Sequence, residues 1–411
     1  MQFLWRKADI ESRKEFGLYN MENVMRYDFD KIVDRRGTYS YKWGVGENEL
    51  PMWVADMDFE TAPEIVAALE KRVSNKIFGY TDIPDEWYEA YIGWWKKRHG
   101  VELKKEWLIY SSGVIPTISS TVRKLSAPAE NVVILTPVYN MFYNCVLNNG
   151  RNIIESKLIY DDKSYSIDFD DLEKKLADEQ TSLMIFCNPH NPVGRIWSRE
   201  ELNKVGELCL KHDVKLIVDE IHCDLTDPDK EYVPFVSLKK ELVDNAIIAI
   251  APTKTFNIAG LQTSAVVVTN KALRHKVWRQ INTDEVGEPN AFAIDVVLAA
   301  FNEGEKWLDE LRTYIYNNKC IVDQYIKENI KEISLVSSSA TYLLWLDCGN
   351  VTANSKELMK HIRKETGLFL SAGTHYGPGG ENFLRLNIAC PKERLMDGLA
   401  RLEKGIHSYK K

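Results

Sequence analysis

The chain has 411 residues, 45% hydrophobic and 27% charged, which is ordinary for a folded soluble protein with room for more than one domain. A formal net charge of −7 supplies no broad positive field for nucleic acid, and no apolar run approaches membrane-spanning length. The seven cysteines (Cys145, Cys187, Cys209, Cys223, Cys320, Cys348 and Cys390) stand singly with no CxxC pair, so no metal site or disulfide framework is indicated and a reducing cytoplasm fits.

The opening "MQFLWRKADIESRKEFGLYN" lacks the apolar core of a signal peptide. Residues 1–24 read as a tail or an upstream start, with Met21 a more typical beginning, and 25–60 as an N-terminal segment packing on a small domain. From residue 61 helices and strands alternate. "TAPEIVAALEKRV" offers Thr61 as N-cap, Pro63 in the first turn, and Ile65, Val66, Leu69 and Val73 on one face. "PDEWYEAYIGWWKKRHG" is a second amphipathic helix, with a basic last turn and a glycine cap. Short apolar strands then recur in "WLIYSSG", "NVVILTP", "SLMIFCN", "VKLIVDE", "AIIAIAP" and "SAVVVTN", several of them separated by helical patterns such as "SREELNKVGELCLKHD". That alternation predicts an α/β domain over 61–305 with a mainly parallel sheet and helices on both faces. Over 306–411 a long helix followed by "ATYLLWLDCG" and "ENFLRLNIACP" predicts a smaller α+β domain, joined through helix rather than a flexible linker.

The residues suited to chemistry follow strand ends, where open α/β sheets bind ligands. Lys254 follows the strand in "NAIIAIAPTK", where a solvated lysine is the commoner reading of one residue taken alone. Asp219 ends "VKLIVD", as an ion-pair or cap residue would, but also as a partner for a protonated ring nitrogen would. "FCNPHNPVGR" presents Asn188 and Asn191 in a tight turn, and "YSSGVIPTISS" brings Gly113 to a helix start whose free N–H groups suit a phosphate. Tyr139 in "LTPVYN" could stack on a planar ring, and Arg385 in "FLRLN" suits bidentate capture of a carboxylate. A lysine for an aldehyde, an acid for a pyridine nitrogen and an anion site together suit pyridoxal phosphate.

The chain resembles the pyridoxal-phosphate enzymes of aminotransferase fold type I, and within them the bacterial C–S β-lyases. The resemblance runs from about residue 25 to the end and is carried by "LPMWVADMDF", "FGYTDIPD", "VDEIHCD" and "APTKTFNIAGLQTS". It implies a mostly parallel seven-stranded sheet between helices, and a small domain built from both terminal segments. It implies that Lys254 bonds the cofactor aldehyde and moves a proton, that Asp219 pairs with the ring nitrogen, and that Tyr139 stacks on the ring. Asn191 would hold the ring oxygen and help bind substrate, beside His222. Gly113, Val114, Ile115 and Thr253 would hold the phosphate, joined by Tyr80 from the neighbouring subunit of a homodimer. Arg385, with backbone near Ala55, would hold the substrate carboxylate, while Trp53, His375 and Tyr376 could line the pocket. Many aminotransferases have tyrosine where this chain has His222, and arginine where it has Gln262; the lyase branch shares both departures. The implied reaction is α,β-elimination from cystathionine or a related cysteine S-conjugate. The alternatives are transamination on the same fold, or a lyase that also restrains a transcription activator.

Overall fold

The computed structural model describes residues 26–409, so the reading of 1–24 as a tail lies outside the described residues. Seven strands form the central sheet: β1 (Leu108–Ser111), β2 (Asn131–Thr136), β3 (Asn152–Lys157), β4 (Thr181–Cys187), β5 (Lys215–Asp219), β6 (Ala246–Ile250) and β7 (Ser264–Val267). Their spatial order is β1-β7-β6-β5-β4-β2-β3. All neighbours are parallel except β7, which runs antiparallel to both β1 and β6. Six of these strands coincide with the apolar runs in the sequence. The seventh, β3, escapes that reading because it is a half-exposed edge strand without a continuous apolar run.

Both faces of the inner strands are apolar because both are covered. Ile217 and Ala249 join one core cluster with Val114, Ile118 and Val122 of helix α1 (Val114–Leu125). Leu216, Val218, Ile248 and Ile250 point the other way, into the main core with Val205 and Cys209 of α2 (Arg199–Lys211). The period-two alternation of β5 therefore sends Asp219 to the same face as Ile217, where α1 lies, and Glu220 to the opposite face.

Two helices precede the sheet. The first, Pro63–Ser74, has Ala62 rather than Thr61 as its N-cap; the Thr61 hydroxyl donates instead to the Phe256 carbonyl at 2.7 Å, a tertiary partner that outcompetes the local cap. The second, Asp85–His99, ends on Gly100 in the left-handed conformation, as its sequence predicts.

Gly304 joins Ala293–Glu303 directly to the long helix Glu305–Asn329, which leads to a second, antiparallel sheet. Its strands are β8 (Ser334–Leu335), β9 (Leu343–Asp347), β10 (Ser371–Ala372) and β11 (Phe383–Asn387), in the order β8-β9-β11-β10. The N-terminal segment runs beside this sheet: Leu50–Pro51 pairs in parallel with Leu368–Phe369, and Asn387 N donates to the Met52 carbonyl at 2.9 Å.

The loop after β4 also reaches the second sheet's approach. Gly194, at φ +69°, accepts from Ser339 N at 2.8 Å and Ala340 N at 3.0 Å, and a Cβ there would stand 2.6 Å from Ser338 Cβ. Gly194→Ala is expected to lower stability by about 2 kcal/mol or more, read as a lower urea midpoint.

Candidate active site

Strands β4, β5 and β6 end level with one another, Cys187 beside Asp219 and Asp219 beside Ala249. The chain then leaves the sheet in loops that surround a cavity of about 290 Å³. Its wall includes Asp219 at the end of β5, His222, Thr253 and Lys254 from the loops after β5 and β6, and Tyr139 and Asn191 from those after β2 and β4. Gly113, Val114 and Ile115 contribute the start of α1, and Ala55 comes from the N-terminal segment.

Lys254 Nζ donates to the Ala55 carbonyl at 2.5 Å, a contact that spans almost two hundred positions of sequence. Burial pushes its pKa down to about 8, against the attraction of Asp56, while Arg385 pushes the same way as burial. The amine is thus partly uncharged near neutral pH, as a proton acceptor has to be. Burial likewise pushes Asp219 up to about 6, opposed by the Ile221 N–H, which donates to Oδ1 at 3.0 Å, and by Lys254. Burial, helped by Lys254 and Arg385, lowers His222 to about 3, so its imidazole is neutral, and its Nδ1 has no hydrogen-bond partner. Burial raises the Tyr139 hydroxyl to about 12 and keeps it protonated.

Arg385 stands at the margin of the cavity, 5% exposed on β11. Its Nη1 donates to Asn191 Oδ1 at 3.2 Å and its Nη2 to the Trp53 carbonyl at 2.8 Å; both acceptors are uncharged, and Nε has no partner. Its guanidinium lies 4.8 Å from the Tyr376 ring centre. A buried guanidinium with only uncharged acceptors has the donors that suit a carboxylate. Tyr376 is buried beneath Arg385, Trp53 contributes its carbonyl, and His375 is exposed; none of the three lines the cavity. Tyr80 is fully exposed between the first two helices and is also absent from the cavity wall.

Sequence reasoning did not assign Ser112, Cys187, Ile221 or Ala259, which line the cavity, nor Tyr342 and Asn387, which hold its margin. Cys187 could have been found by parity, since it shares a face with Leu183 and Ile185. Tyr342 and Asn387 act on distant backbone and carry no local signal.

The donor set fits pyridoxal phosphate. No side chain caps the first turn of α1, so its N–H groups are available to a phosphate. Asp219 faces the cavity without a neighbouring guanidinium, as a ring-nitrogen partner requires.

The family model for class I and II aminotransferases matches residues 46–402. The chain belongs to that family. Family members depend on pyridoxal phosphate. Among similar proteins, cystathionine β-lyase PatB of Bacillus subtilis is 42% identical over 382 residues, covering 92% of this chain and 99% of PatB. Protein MalY of Escherichia coli is 30% identical over 392 residues, covering 93% of this chain and all of MalY. The crystal structure of cystalysin from Treponema denticola, which contains pyridoxal phosphate, superposes with a TM-score of 0.90 at 34% identity, over 94% of this chain and 100% of cystalysin. The fold is therefore fold type I, as the sequence resemblance implies. Among the described residues, no helix is long and apolar enough to cross a membrane.

The raised Asp219 pKa has a stability consequence. A carboxyl with a folded pKa near 6 and an unfolded value near ~3.9 favours the fold below the unfolded value, and that contribution is lost as pH rises through about 6. In the cofactor-free chain at pH 7 to 8, Asp219→Asn is expected to raise the melting temperature, while cutting activity of the loaded enzyme about a hundredfold or more. Thermal scans at pH 5 and pH 8, with rate assays on the same variant, check both signs.

Proposed function

We propose that this chain is a pyridoxal-phosphate-dependent carbon–sulfur β-lyase that cleaves cystathionine or a related cysteine S-conjugate to a thiol, pyruvate and ammonia. The observation that carries the reading is the meeting of a buried lysine, a buried strand-end carboxyl and an uncapped helix terminus on one cavity, with a neutrally solvated arginine at its rim. The similarity to PatB, named a cystathionine β-lyase, and the presence of His222 and Gln262 favour elimination over transamination.

When bound, pyridoxal phosphate supplies an aldehyde for the substrate amine and a ring that takes up the electron pair left at Cα. The chain's own residues do the rest. The N–H groups of Gly113, Val114 and Ile115, with the Thr253 hydroxyl, would hold its phosphate. Asp219 would keep its ring nitrogen protonated, Asn191 and His222 would hold its ring oxygen, and Tyr139 would stack on its ring. Arg385 takes the substrate carboxylate in the fork of its guanidinium, aided by backbone near Ala55, and so fixes which Cα bond is broken. Lys254, with its lowered pKa, accepts the Cα proton. Sulfur then departs from Cβ as a thiolate, a good leaving group because thiol pKa values lie near ~8.5, and water hydrolyses the remaining three-carbon enamine to pyruvate and ammonia.

Purified protein given L-cystathionine without any keto acid is expected to yield pyruvate and thiol in equal amounts, with both lost in Lys254→Ala. Conversion of the cofactor to its amine form without thiol release would instead mark a transaminase. The proposal includes a homodimer in which Tyr80 reaches the neighbour's phosphate, supported by the full exposure of Tyr80 and its absence from its own cavity wall. Mixing inactive Lys254→Ala with weakened Tyr80→Ala chains is expected to regain up to about a quarter of wild-type activity per site, since one site in each mixed dimer is then intact; no recovery would remove Tyr80 from the neighbour's site.

A further inference from the structure

The Ala55 carbonyl serves two side chains, accepting from Lys254 Nζ at 2.5 Å and from the Tyr342 hydroxyl at 3.0 Å. The methyl side chain of Ala55 cannot aim that oxygen, so the aim comes from its neighbours. Asn387 Nδ2 donates to the Val54 carbonyl at 2.6 Å and to the Asp56 carbonyl at 2.7 Å, gripping the peptide planes on either side of the one that carries the Ala55 oxygen. Asn387 is 1% exposed, and its own Oδ1 is satisfied by Ala389 N at 2.8 Å. It lies two residues beyond Arg385 on β11, and Arg385 holds the next carbonyl upstream, that of Trp53. One strand face therefore carries both the carboxylate-binding guanidinium and the clamp on the segment that meets Lys254.

We propose that Asn387 is a positioning residue of the reaction, acting with Tyr342 to fix the Ala55 carbonyl as the acceptor that docks the Lys254 amine whenever that amine is not bonded to the cofactor. This rests on the lyase reading for the role of Lys254. During turnover the freed amine has to wait beside Cα, and a four-carbon flexible stem leaves it many other places to be. The docking carbonyl holds it there, and because a carbonyl also accepts from the ammonium form, it favours the protonated state. The charges facing Lys254 are those of Asp56, Asp219 and Arg385, with His222 neutral beside them. Asp56 is itself anchored from outside the cavity: Arg35 Nη2 donates to its Oδ2 at 2.7 Å and Lys42 Nζ to its carbonyl at 3.2 Å.

The test uses full-length Asn387→Ser and Tyr342→Phe. In the loaded enzyme, kcat for cystathionine is expected to fall about tenfold in each, with KM within about twofold of wild type because Arg385 is untouched. In the cofactor-free chain, acetylation of Lys254 by acetic anhydride, which releases acetate, followed by peptide mass spectrometry between about pH 6 and pH 10, is expected to show its midpoint shifted down by about half a unit or more. An unchanged midpoint in Tyr342→Phe, which removes one oxygen and leaves the packing, overturns the proposal even if Asn387→Ser fails to fold. A raised KM with intact kcat also overturns it, assigning Asn387 to carboxylate binding instead. Wild-type protein that makes no pyruvate would defeat the lyase reading and leave the acylation comparison standing.

Discussion

The hydrogen bond from Lys254 to the Ala55 carbonyl is where the central sheet and the N-terminal segment meet at the chemistry. A buried ammonium is costly unless it is paired or neutralised, and here both happen in part. The carbonyl and the Asp219 and Asp56 charges hold the cation, while burial drags its pKa down to about 8. The same desolvation acts in the opposite direction on Asp219, pushed up to about 6. Lysine and aspartate are thus drawn toward one another in pKa, each poised for proton chemistry that neither would perform in water.

The site relies on backbone more than on charged side chains. The start of α1 offers uncapped N–H groups to the cavity, and the uncharged Gln262 lines the same cavity. Ala55 belongs to the opposite wall, and the carbonyls of its segment, at Trp53, Val54, Ala55 and Asp56, are held by Arg385, Asn387, Tyr342, Lys254 and Lys42. Backbone groups cannot swing as long side chains do, so a wall of this kind is preorganised for its ligand. Its weakness is dependence on the segment's path, which is set by pairing with Leu368–Phe369 and by the ties from β11.

Much of the architecture was legible in the chain because buried parallel strands must be apolar on both faces. Six of seven central strands show that run; β3 does not, because it is half-exposed, whereas β1 at the other edge is buried throughout. Helix caps were less legible: Gly100 follows the local rule, whereas Thr61 is taken by the Phe256 carbonyl. Gly113, Val114, Ile115, Tyr139, Asn191, Asp219, His222, Thr253 and Lys254 all line the cavity, as expected of residues that follow strand ends. Arg385 sits just outside, its guanidinium reaching Asn191.

By itself the sequence determined the order of six central strands and of the helices between them, because that follows from local periodicity. It also determined which residue types stand at the strand ends, and hence the cofactor class they suit. Only the tertiary structure decided that Ala55, Tyr342 and Asn387 close around Lys254, because each contributes through hydrogen bonds to backbone far away in sequence. A carbonyl's direction depends on the path of its chain, not on the identity of its residue. Burial decided the rest: the shifts at Lys254, Asp219 and His222 come first from desolvation, a property of the folded surroundings that no single stretch of sequence carries.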